Sequence, residues 1–541
     1  SNATVTDTGN CTARLHMGDI LHSKPIVVSF DDSDASKRYV FFGTNEGYLH
    51  AINANNGTEK FAFMPQSLLD NIDIQYRNSA ANPHPYGVDG PITVWRHDEN
   101  HDGAIDASDG DHVYLYFGLR RGGKAYYALN VTDPVAPKLL WKIDNNTTDF
   151  SELAQTWSKP LLAKIRYKRG STTTETQAMV VGAGYDPIVD LEDRDARTAP
   201  SGDLTEAHTM GRGAYIINAN TGAKIDAIFG GSNTGAISGM DFSIPGDIRV
   251  LDMDKNGFMD RLYFADLGGN IWRTDLFTDT TDAVKLATST YKFASLGEDT
   301  ALSSLELRKF FNEPEVSLFN YGGVPTLAVT VGSGYHSRPL NTTTADRFYV
   351  LLDKDVFAHP TTTPSAILQT DLVGRSSLSA SITTDTNGKL GWYYDLPNMG
   401  EKILSAPKIF LNKALFTTFK PGSGGFSGTA SCATSNSHET RLYAFDLLDG
   451  AAAIDFDNDG TRDNSKILPE GHILGTPTVL FRTPTCTDRD NCNQVVEVKT
   501  SIGGPVLTTS THPGTATRGT ATSSIDIGSF LPKVYWLNKH Q

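Results

Sequence analysis

The stretch Ser23-Lys24-Pro25-Ile26-Val27-Val28 has the pattern of a short β-strand opened by a proline, and phrases of the same kind return along the whole chain. Proline is confined to the starts and edges of strands, so each copy marks the beginning of a structural unit. Most copies follow one another at about 70 residues, which is typical of an internal repeat. The prolines that lead the phrases are Pro25, Pro91, Pro160, Pro245, Pro314, Pro407 and Pro477.

A second phrase follows several of these prolines and consists of two alternating strands joined by a glycine turn. Its clearest copies lie at 42–53 and 213–222, and looser copies lie at 123–130, 269–275 and 441–446. Short strands at regular spacing, with Gly and Asn/Asp turns, indicate an antiparallel all-β repeat whose units pack against their neighbours. We therefore predict an all-β fold, a single seven-bladed β-propeller with long loop insertions. An array of β-sandwiches is the alternative.

The propeller is expected to occupy residues 4–541, because residues 1–3 have the pattern of a remnant of a cleaved expression tag. Its blades are expected to open near residues 25, 91, 160, 245, 314, 407 and 477. The longer steps between prolines predict loop insertions in the charged stretch 186–208 and in the polar stretches 337–344 and 361–388.

Charge and hydropathy exclude two classes of partner. The 541 residues include 47 Lys+Arg and 62 Asp+Glu, which gives a formal net charge of −15. This surplus repels phosphate backbones and anionic lipid, so we expect no nucleic-acid partner. No apolar stretch approaches the roughly 18 residues that a membrane span requires, so we expect no membrane insertion of this domain.

The chain has four cysteines, Cys11, Cys432, Cys486 and Cys492. Cys486 and Cys492 frame the polar loop Thr-Asp-Arg-Asp-Asn, and no second close pair completes a zinc site. A small disulfide loop between them fits better and predicts an oxidising compartment. Cys11 and Cys432 could form a second bridge, for which their separation gives no support.

Three acidic segments share the pattern D-x-[DN]-x-[DN]-G-x-x-D. Calcium takes six to eight oxygen ligands, and oxygens at positions 1, 3 and 5 can wrap it while Gly at position 6 permits the sharp turn. A backbone carbonyl at position 7 and a carboxylate at position 9 complete the expected set. The first loop offers Asp252, Asp254, Asn256, the carbonyl of Phe258, and Asp260; the second Asp455, Asp457, Asp459, Thr461 and Asp463; the third Asp98, Asn100, Asp102, Ala104 and Asp106. The alternative for any single loop is a solvated Asp/Asn/Gly turn.

The first and third loops lie at the same distance after Pro245 and Pro91, so each is expected to join the first two strands of its blade. None has the bidentate Glu that ends an EF-hand loop, because position 12 is Tyr263, Lys466 and Asp109 in the three loops. We therefore expect EF-hand-like calcium loops carried on strands, with moderate affinity.

Residues 252–275 carry a family resemblance, because the run DMDKNGFMDRLYFADLGGNIWRTD resembles the signature of the PilC/PilY family of type IV pilus tip-associated adhesins and biogenesis factors. Phrases at 43–51, 118–133, 391–397 and 400–405 are similar to the same family's propeller. The resemblance implies an exported C-terminal β-propeller of a modified, quinoprotein-like kind, displayed at the outer membrane, cell surface or pilus tip. It also implies Ca²⁺ as the bound ion, held by the first loop.

The resemblance further implies calcium-dependent control of pilus extension against retraction, together with adhesion. The expected partners are the minor pilins of the pilus tip complex and a host or abiotic surface. Two alternatives remain open: a structural module that calcium only stabilises, and a periplasmic quinoprotein dehydrogenase, which residues 51–57 resemble. Such enzymes typically carry adjacent cysteines, which this chain lacks, and it has neither a G-x-S-x-G nor an H-E-x-x-H motif. We therefore expect no enzyme.

Overall fold

The computed structural model describes most of the chain between residues 17 and 481, and side chains between 17 and 479 apart from those of 287 and 288. The described backbone comprises residues 3–5, 11–13, 17–77, 85–190, 208–231, 235–276, 286–297, 308–321, 323–357, 360, 362–375, 388–422, 438–456, 459–468, 473–481, 485–488, 491–493, 496–500, 506–507 and 524–525. By contacts the chain divides into two units, residues 1–313 with 357–368, and residues 314–356 with 369–541.

The first unit contains a two-stranded ribbon, β1 (Ala3–Val5) with β2 (Cys11–Ala13), and four larger sheets. Sheet 1 has β3 (Ile26–Ser29), β4 (Arg38–Gly43), β5 (Leu49–Asn53) and β6 (Glu59–Phe63). Sheet 2 has β7 (Ile92–His97), β8 (His112–Gly118), β9 (Ala125–Asn130) and β10 (Lys138–Asp144). Sheet 3 has β11 (Leu161–Arg169), β12 (Thr172–Gly182), β13 (Gly213–Asn218) and β14 (Lys224–Phe229). Sheet 4 has β15 (Arg249–Leu251), β16 (Arg261–Ala265), β17 (Asn270–Leu276) and β18 (Ala287–Ser295).

The second unit contains three sheets and a ribbon. Sheet 5 has β19 (Glu315–Tyr321), β20 (Val324–Gly332), β21 (Arg347–Asp353) and β24 (Gly391–Asp395). Sheet 6 has β25 (Lys402–Ile403), β26 (Lys408–Phe410), β27 (Lys413–Lys420), β28 (Glu439–Asp446) and β29 (Ser465–Leu468). Sheet 7 has β30 (Pro477–Phe481), β33 (Val496–Thr500), β34 (Val506–Leu507) and β35 (Ser524–Ile525). The ribbon joins β31 (Thr485–Asp488) to β32 (Asn491–Asn493).

Helices are few and short in the described part of the chain. Those whose whole range is described are α1 (Asn71–Arg77) and five single 3₁₀ turns at Ala35–Lys37, Gln66–Leu68, Ala107–Asp109, Arg120–Gly122 and Gln369–Asp371. No helix found there has both the length and the apolar character needed to cross a membrane.

The sheets follow one another in sequence, and neighbouring strands within each are joined mainly by antiparallel hairpins. The proline-led phrases lie at or shortly before a strand at the start of each sheet, as Pro91 lies before β7 and Pro160 before β11. Sheets of four or five strands in this order have the form of propeller blades. The count of seven blades and their closure into one ring remain predictions.

Apolar cores join consecutive sheets of the first unit face to face. One core lies between sheets 1 and 2, a second between sheets 2 and 3, and a third between sheets 3 and 4. The third contains Ile165 and Val180 of sheet 3 together with Phe264 and Trp272 of sheet 4. Successive side chains of a strand point to opposite faces of its sheet, so even a short strand contributes buried residues to the cores on both sides.

The polar stretch 361–388 was expected to be a loop, and part of it forms strands instead. β22 (Ile367–Leu368) pairs in parallel with β18 of sheet 4, and β23 (Val373–Arg375) pairs in parallel with β24 of sheet 5. The physical reason is that β18 and β24 would otherwise present edge N–H and C=O groups without partners.

Candidate metal centre

The Asp252 loop, residues 252–260, joins β15 to β16 at the start of sheet 4. The chain turns sharply there because Lys255 and Gly257 have φ angles of 63° and 89°, values that suit glycine. Asp252, Asp254 and Asp260 each direct a carboxylate oxygen to the same place, and these atoms lie within 4.8 Å of one another. The loop therefore gathers three negative charges at the tip of a hairpin.

Backbone amides hold these carboxylates in position. The N–H of Gly257 donates to Oδ2 of Asp252 at 2.8 Å, and the N–H of Met253 donates to Oδ2 of Asp260 at 2.7 Å. Burial raises the pKa of Asp260, and the nearby charges of Asp254 and Asp252 raise it further against the effect of the Met253 N–H. Negative charge in the loop is therefore costly without a cation. An all-oxygen set of carboxylates, an amide and a carbonyl suits a hard cation such as calcium.

The Asp455 loop, residues 455–463, joins β28 to β29 in sheet 6. The N–H of Gly460 donates to Oδ2 of Asp455 at 2.9 Å, and the N–H of Phe456 donates to Oδ2 of Asp463 at 2.9 Å. Asp457 lies outside the described residues. The first and last carboxylates of this loop thus accept the same bonds as those of the Asp252 loop.

The Asp98 loop, residues 98–106, joins β7 to β8 in sheet 2. The N–H of Gly103 donates to Oδ2 of Asp98 at 3.0 Å. Asp106 faces away from this loop, because its carboxylate accepts the N–H of Ser108 at 2.8 Å and caps the 3₁₀ turn Ala107–Asp109. Asp111 takes its place, accepting the N–H of Glu99 at position 2 through Oδ1. The sequence pattern alone did not single out Asp111, and its only local signal is its position directly before β8.

All three loops also share a bond from the amide at position 7 to the side chain at position 5. It runs from Phe258 to Asn256 at 2.8 Å, from Thr461 to Asp459 at 2.7 Å, and from Ala104 to Asp102 at 2.8 Å. The common pattern therefore produces a common geometry over positions 5 to 7, whereas position 9 differs in the Asp98 loop. Whether each loop binds an ion is a separate question.

In the Asp98 loop an arginine lies close to the aspartate at position 1. Arg96 places one guanidinium nitrogen 3.5 Å from Oδ2 of Asp98 and donates to the carbonyl of Gly103 at 2.7 Å. Oδ1 of Asp98 is buried and has no hydrogen-bond partner among the described residues. Asn100 donates to Asp109, the residue at position 12, at 3.1 Å. Part of the charge of this loop is therefore balanced by the protein itself.

Buried ion pairs support the base of the Asp252 hairpin. Asp275 accepts from Nε of Arg261 at 2.5 Å and from Arg273 at 2.9 Å, and all three side chains are almost inaccessible to solvent. Asp266, in the turn between β16 and β17, accepts the indole N–H of Trp272 at 2.8 Å, and burial raises its pKa to about 6. The run 252–275 is thus a charged loop on a rigid, internally paired base.

The two close cysteines lie opposite each other in the ribbon. Cys486 of β31 pairs with Cys492 of β32 in antiparallel register. Their side chains lie outside the described part of the structure, as does all of Cys432, so the disulfide remains a prediction. Cys11, in β2, pairs through its backbone with Val5.

Comparison with known proteins gives a family match. A family model described as the PilY1 beta-propeller domain matches residues 22–304. The type IV pilus biogenesis factor PilY1 of Pseudomonas aeruginosa strain UCBPP-PA14 is 31% identical over 289 residues, which is 49% of this chain and 21% of that protein. A PilY1 homolog of Xylella fastidiosa strain Temecula1 is 26% identical over 450 residues, which is 78% of this chain and 27% of that protein.

One solved structure extends the similarity over most of the chain. The crystal structure of the Pseudomonas aeruginosa PilY1 C-terminal domain has a TM-score of 0.53 and 20% sequence identity, and the match covers 85% of this chain and 90% of that one. Together with the family model it confirms the predicted propeller fold. The chain spans between about a fifth and about a quarter of the length of these curated relatives.

Proposed function

The chain belongs to the PilY1 β-propeller family, and we propose that it is the calcium-binding propeller of a type IV pilus biogenesis factor. In this role it regulates pilus extension against retraction and supports attachment to surfaces. The observation that carries the proposal is the convergence of Asp252, Asp254 and Asp260 on one point within 4.8 Å.

Calcium fits this point by chemistry and by charge. The three carboxylates, the side-chain oxygen of Asn256 and the carbonyl of Phe258 are the hard oxygen donors that the ion prefers. Without the ion, repulsion among the carboxylates loosens the hairpin; with it, the hairpin is ordered and its surface charge falls. Calcium can raise the affinity of a partner that recognises the ordered hairpin by no more than the ratio of calcium's own affinities for the ordered and the loosened hairpin.

The names of the relatives support the place of action. Both curated relatives described above are named type IV pilus biogenesis factors, so we propose an exported protein at the cell surface or pilus tip, in contact with minor pilins. The Asp455 and Asp98 loops are further candidate calcium sites. Arg96 makes the Asp98 loop the less dependent of the two on an added cation.

The test combines calcium binding with pilus assembly. Calorimetric titration of the wild type should show binding that Asp252→Asn removes at this loop, while Asp133→Asn, at an exposed aspartate in another turn, should leave it unchanged. In cells, Asp252→Asn should change the number of surface pili and twitching at unchanged protein abundance. Normal pili and twitching in a variant that binds no calcium there would leave the ion a purely structural role. Dye-linked alcohol oxidation with added pyrroloquinoline quinone would favour the dehydrogenase alternative.

A further inference from the structure

Two residues near the end of the Asp252 loop, Phe258 and Met259, pack against sheet 3. Phe258 is 9% exposed and Met259 is 2% exposed, although the preceding residues of the loop are open to solvent. Met259 belongs to the core that sheets 3 and 4 share, together with Ile165 of β11. The loop is therefore part of the packing between two sheets of the first unit.

A backbone hydrogen bond ties the loop to β11. The N–H of Met259 donates to the carbonyl of Lys164 at 2.9 Å. β11 is the edge strand of sheet 3, so its outer carbonyls have no partner within that sheet. β15 has only three residues, so the hairpin has a short ladder of its own, and the bond to Lys164 is an important part of what fixes it.

Arg166 forms the second link between the loop and sheet 3. Its guanidinium carbon lies 4.1 Å from the centroid of the Phe258 ring, a close cation–π contact. Its Nε donates to Glu175 of β12 at 2.7 Å, which fixes the guanidinium against the β11–β12 hairpin. Arg166 thus holds the ring of Phe258 against the β11–β12 hairpin.

Phe258 belongs both to the proposed ion site and to the contact with sheet 3. Its carbonyl is the expected backbone ligand of the ion, its N–H donates to Asn256 at 2.8 Å, and its ring lies under Arg166. A change in the backbone at position 7 that accompanies ion binding therefore acts directly on two contacts, that of the Phe258 ring with Arg166 and that of the Met259 amide with Lys164.

We infer that occupancy of the Asp252 loop is coupled to the edge of sheet 3 through Phe258 and Met259, with Arg166 as the positioning residue. This inference rests on the proposed calcium site. By reciprocity, an ion that orders the loop strengthens the contact with β11, and an intact contact with β11 tightens binding of the ion by the same factor. The binding event then reaches a second sheet of the propeller as well as the hairpin tip.

The first test compares the calcium affinities of two variants that each lose one positive charge near the loop. Removing a positive charge near an acidic loop should by itself strengthen calcium binding, because the cation is repelled less. Coupling predicts the opposite for Arg166→Ala, a loss of calcium affinity of about threefold or more, which is the range expected for one such contact. Lys168→Ala removes the same charge from the same face of β11, two residues further along, and should leave the affinity unchanged or slightly increased.

The second test follows the backbone by hydrogen exchange. Calcium should slow exchange of the Met259 amide and of peptides from 161–169 in the wild type, and in Arg166→Ala the protection should be confined to the loop. Absence of any calcium binding by the wild type would refute the proposed site itself. Normal binding with unchanged exchange in 161–169, and with equal affinities for Arg166→Ala and Lys168→Ala, would overturn the coupling while leaving the site intact.

Discussion

Asp111 accepts the backbone N–H of Glu99 through Oδ1 at 2.8 Å, and this bond closes the Asp98 loop. Its Oδ2 accepts the N–H of Asp106 at 2.9 Å, so one carboxylate spans both ends of the loop. In the Asp252 and Asp455 loops the corresponding bond is made by the aspartate at position 9. The 3₁₀ turn between Asp106 and Asp111 shifts this role five residues along the chain.

We predict that Asp111→Ala lowers the melting temperature more than Asp106→Ala. Asp111 is 4% exposed, and its loss leaves the N–H groups of Glu99 and Asp106 without their acceptor. Loss of Asp106 removes only the cap of a single 3₁₀ turn on the surface. Thermal unfolding of both variants at neutral pH with a chelator present measures this, and equal shifts would contradict the assignment.

In the Asp252 loop, Asp252→Ala should weaken calcium binding by at least about tenfold, because a charged ligand is lost. Phe258→Ala should weaken it only by a few-fold, because the carbonyl survives and only the packing against Arg166 is lost. Calorimetric titration of the two variants, each checked for a native fold, provides the measurement. Equal losses would show that the carboxylate of Asp252 is not a principal ligand.

Stability should depend on pH through His208, which is buried and accepts the N–H of Ser243 at 2.8 Å. Its pKa is lowered to about 4, chiefly by burial; the positive charges of Lys309 and Arg212 add to the lowering, and Asp186 opposes it. At His208 the unfolded chain, with a pKa near 6.5, therefore binds more protons between these values, and the stability that His208 contributes falls as the pH drops through that window. The raised pKa of Asp266 acts in the opposite direction. At pH values below the folded pKa, the loss of unfolding free energy due to His208 reaches about 3 kcal/mol, since each pKa unit is worth about 1.4 kcal/mol.

Urea unfolding at several pH values between about 4 and 7 measures this dependence. His208→Asn keeps an acceptor for Ser243 and cannot titrate, so the variant should lose that part of the pH dependence. An identical pH profile for wild type and His208→Asn would show that His208 is not the titrating group.

Cys486 and Cys492 should be bridged in the exported protein. The antiparallel ribbon places their backbones directly opposite each other, and the polar turn between them tolerates a bridge. Peptide mapping without reductant should find one cross-linked peptide containing both residues. Recovery of both as free thiols would disprove the bridge.

Local patterns in the sequence were sufficient for the blade-like sheets and for the first seven positions of the acidic loops, but not for the aspartate that closes the Asp98 loop. Proline at the start of a strand and period-two alternation act within a few residues, so the phrases around Pro91 and Pro160 predicted where β7 and β11 begin. The loop pattern is also local, because Gly257 and Gly103 adopt the positive φ that places their amides on the first aspartate. These features depend on backbone conformations that neighbouring residues determine.

The tertiary structure decided which charges and surfaces these loops meet. Arg96 lies beside Asp98 because it also donates to the carbonyl of Ser29, which belongs to another sheet. Met259 finds Lys164 only when sheets 3 and 4 pack together. Such contacts join residues that are far apart in sequence, and their formation depends on how whole sheets are placed. The sequence pattern therefore specified the turn of each loop, whereas the packing of the sheets decided that the Asp98 loop has Arg96 beside it and that the Asp252 loop is bonded to a neighbouring strand.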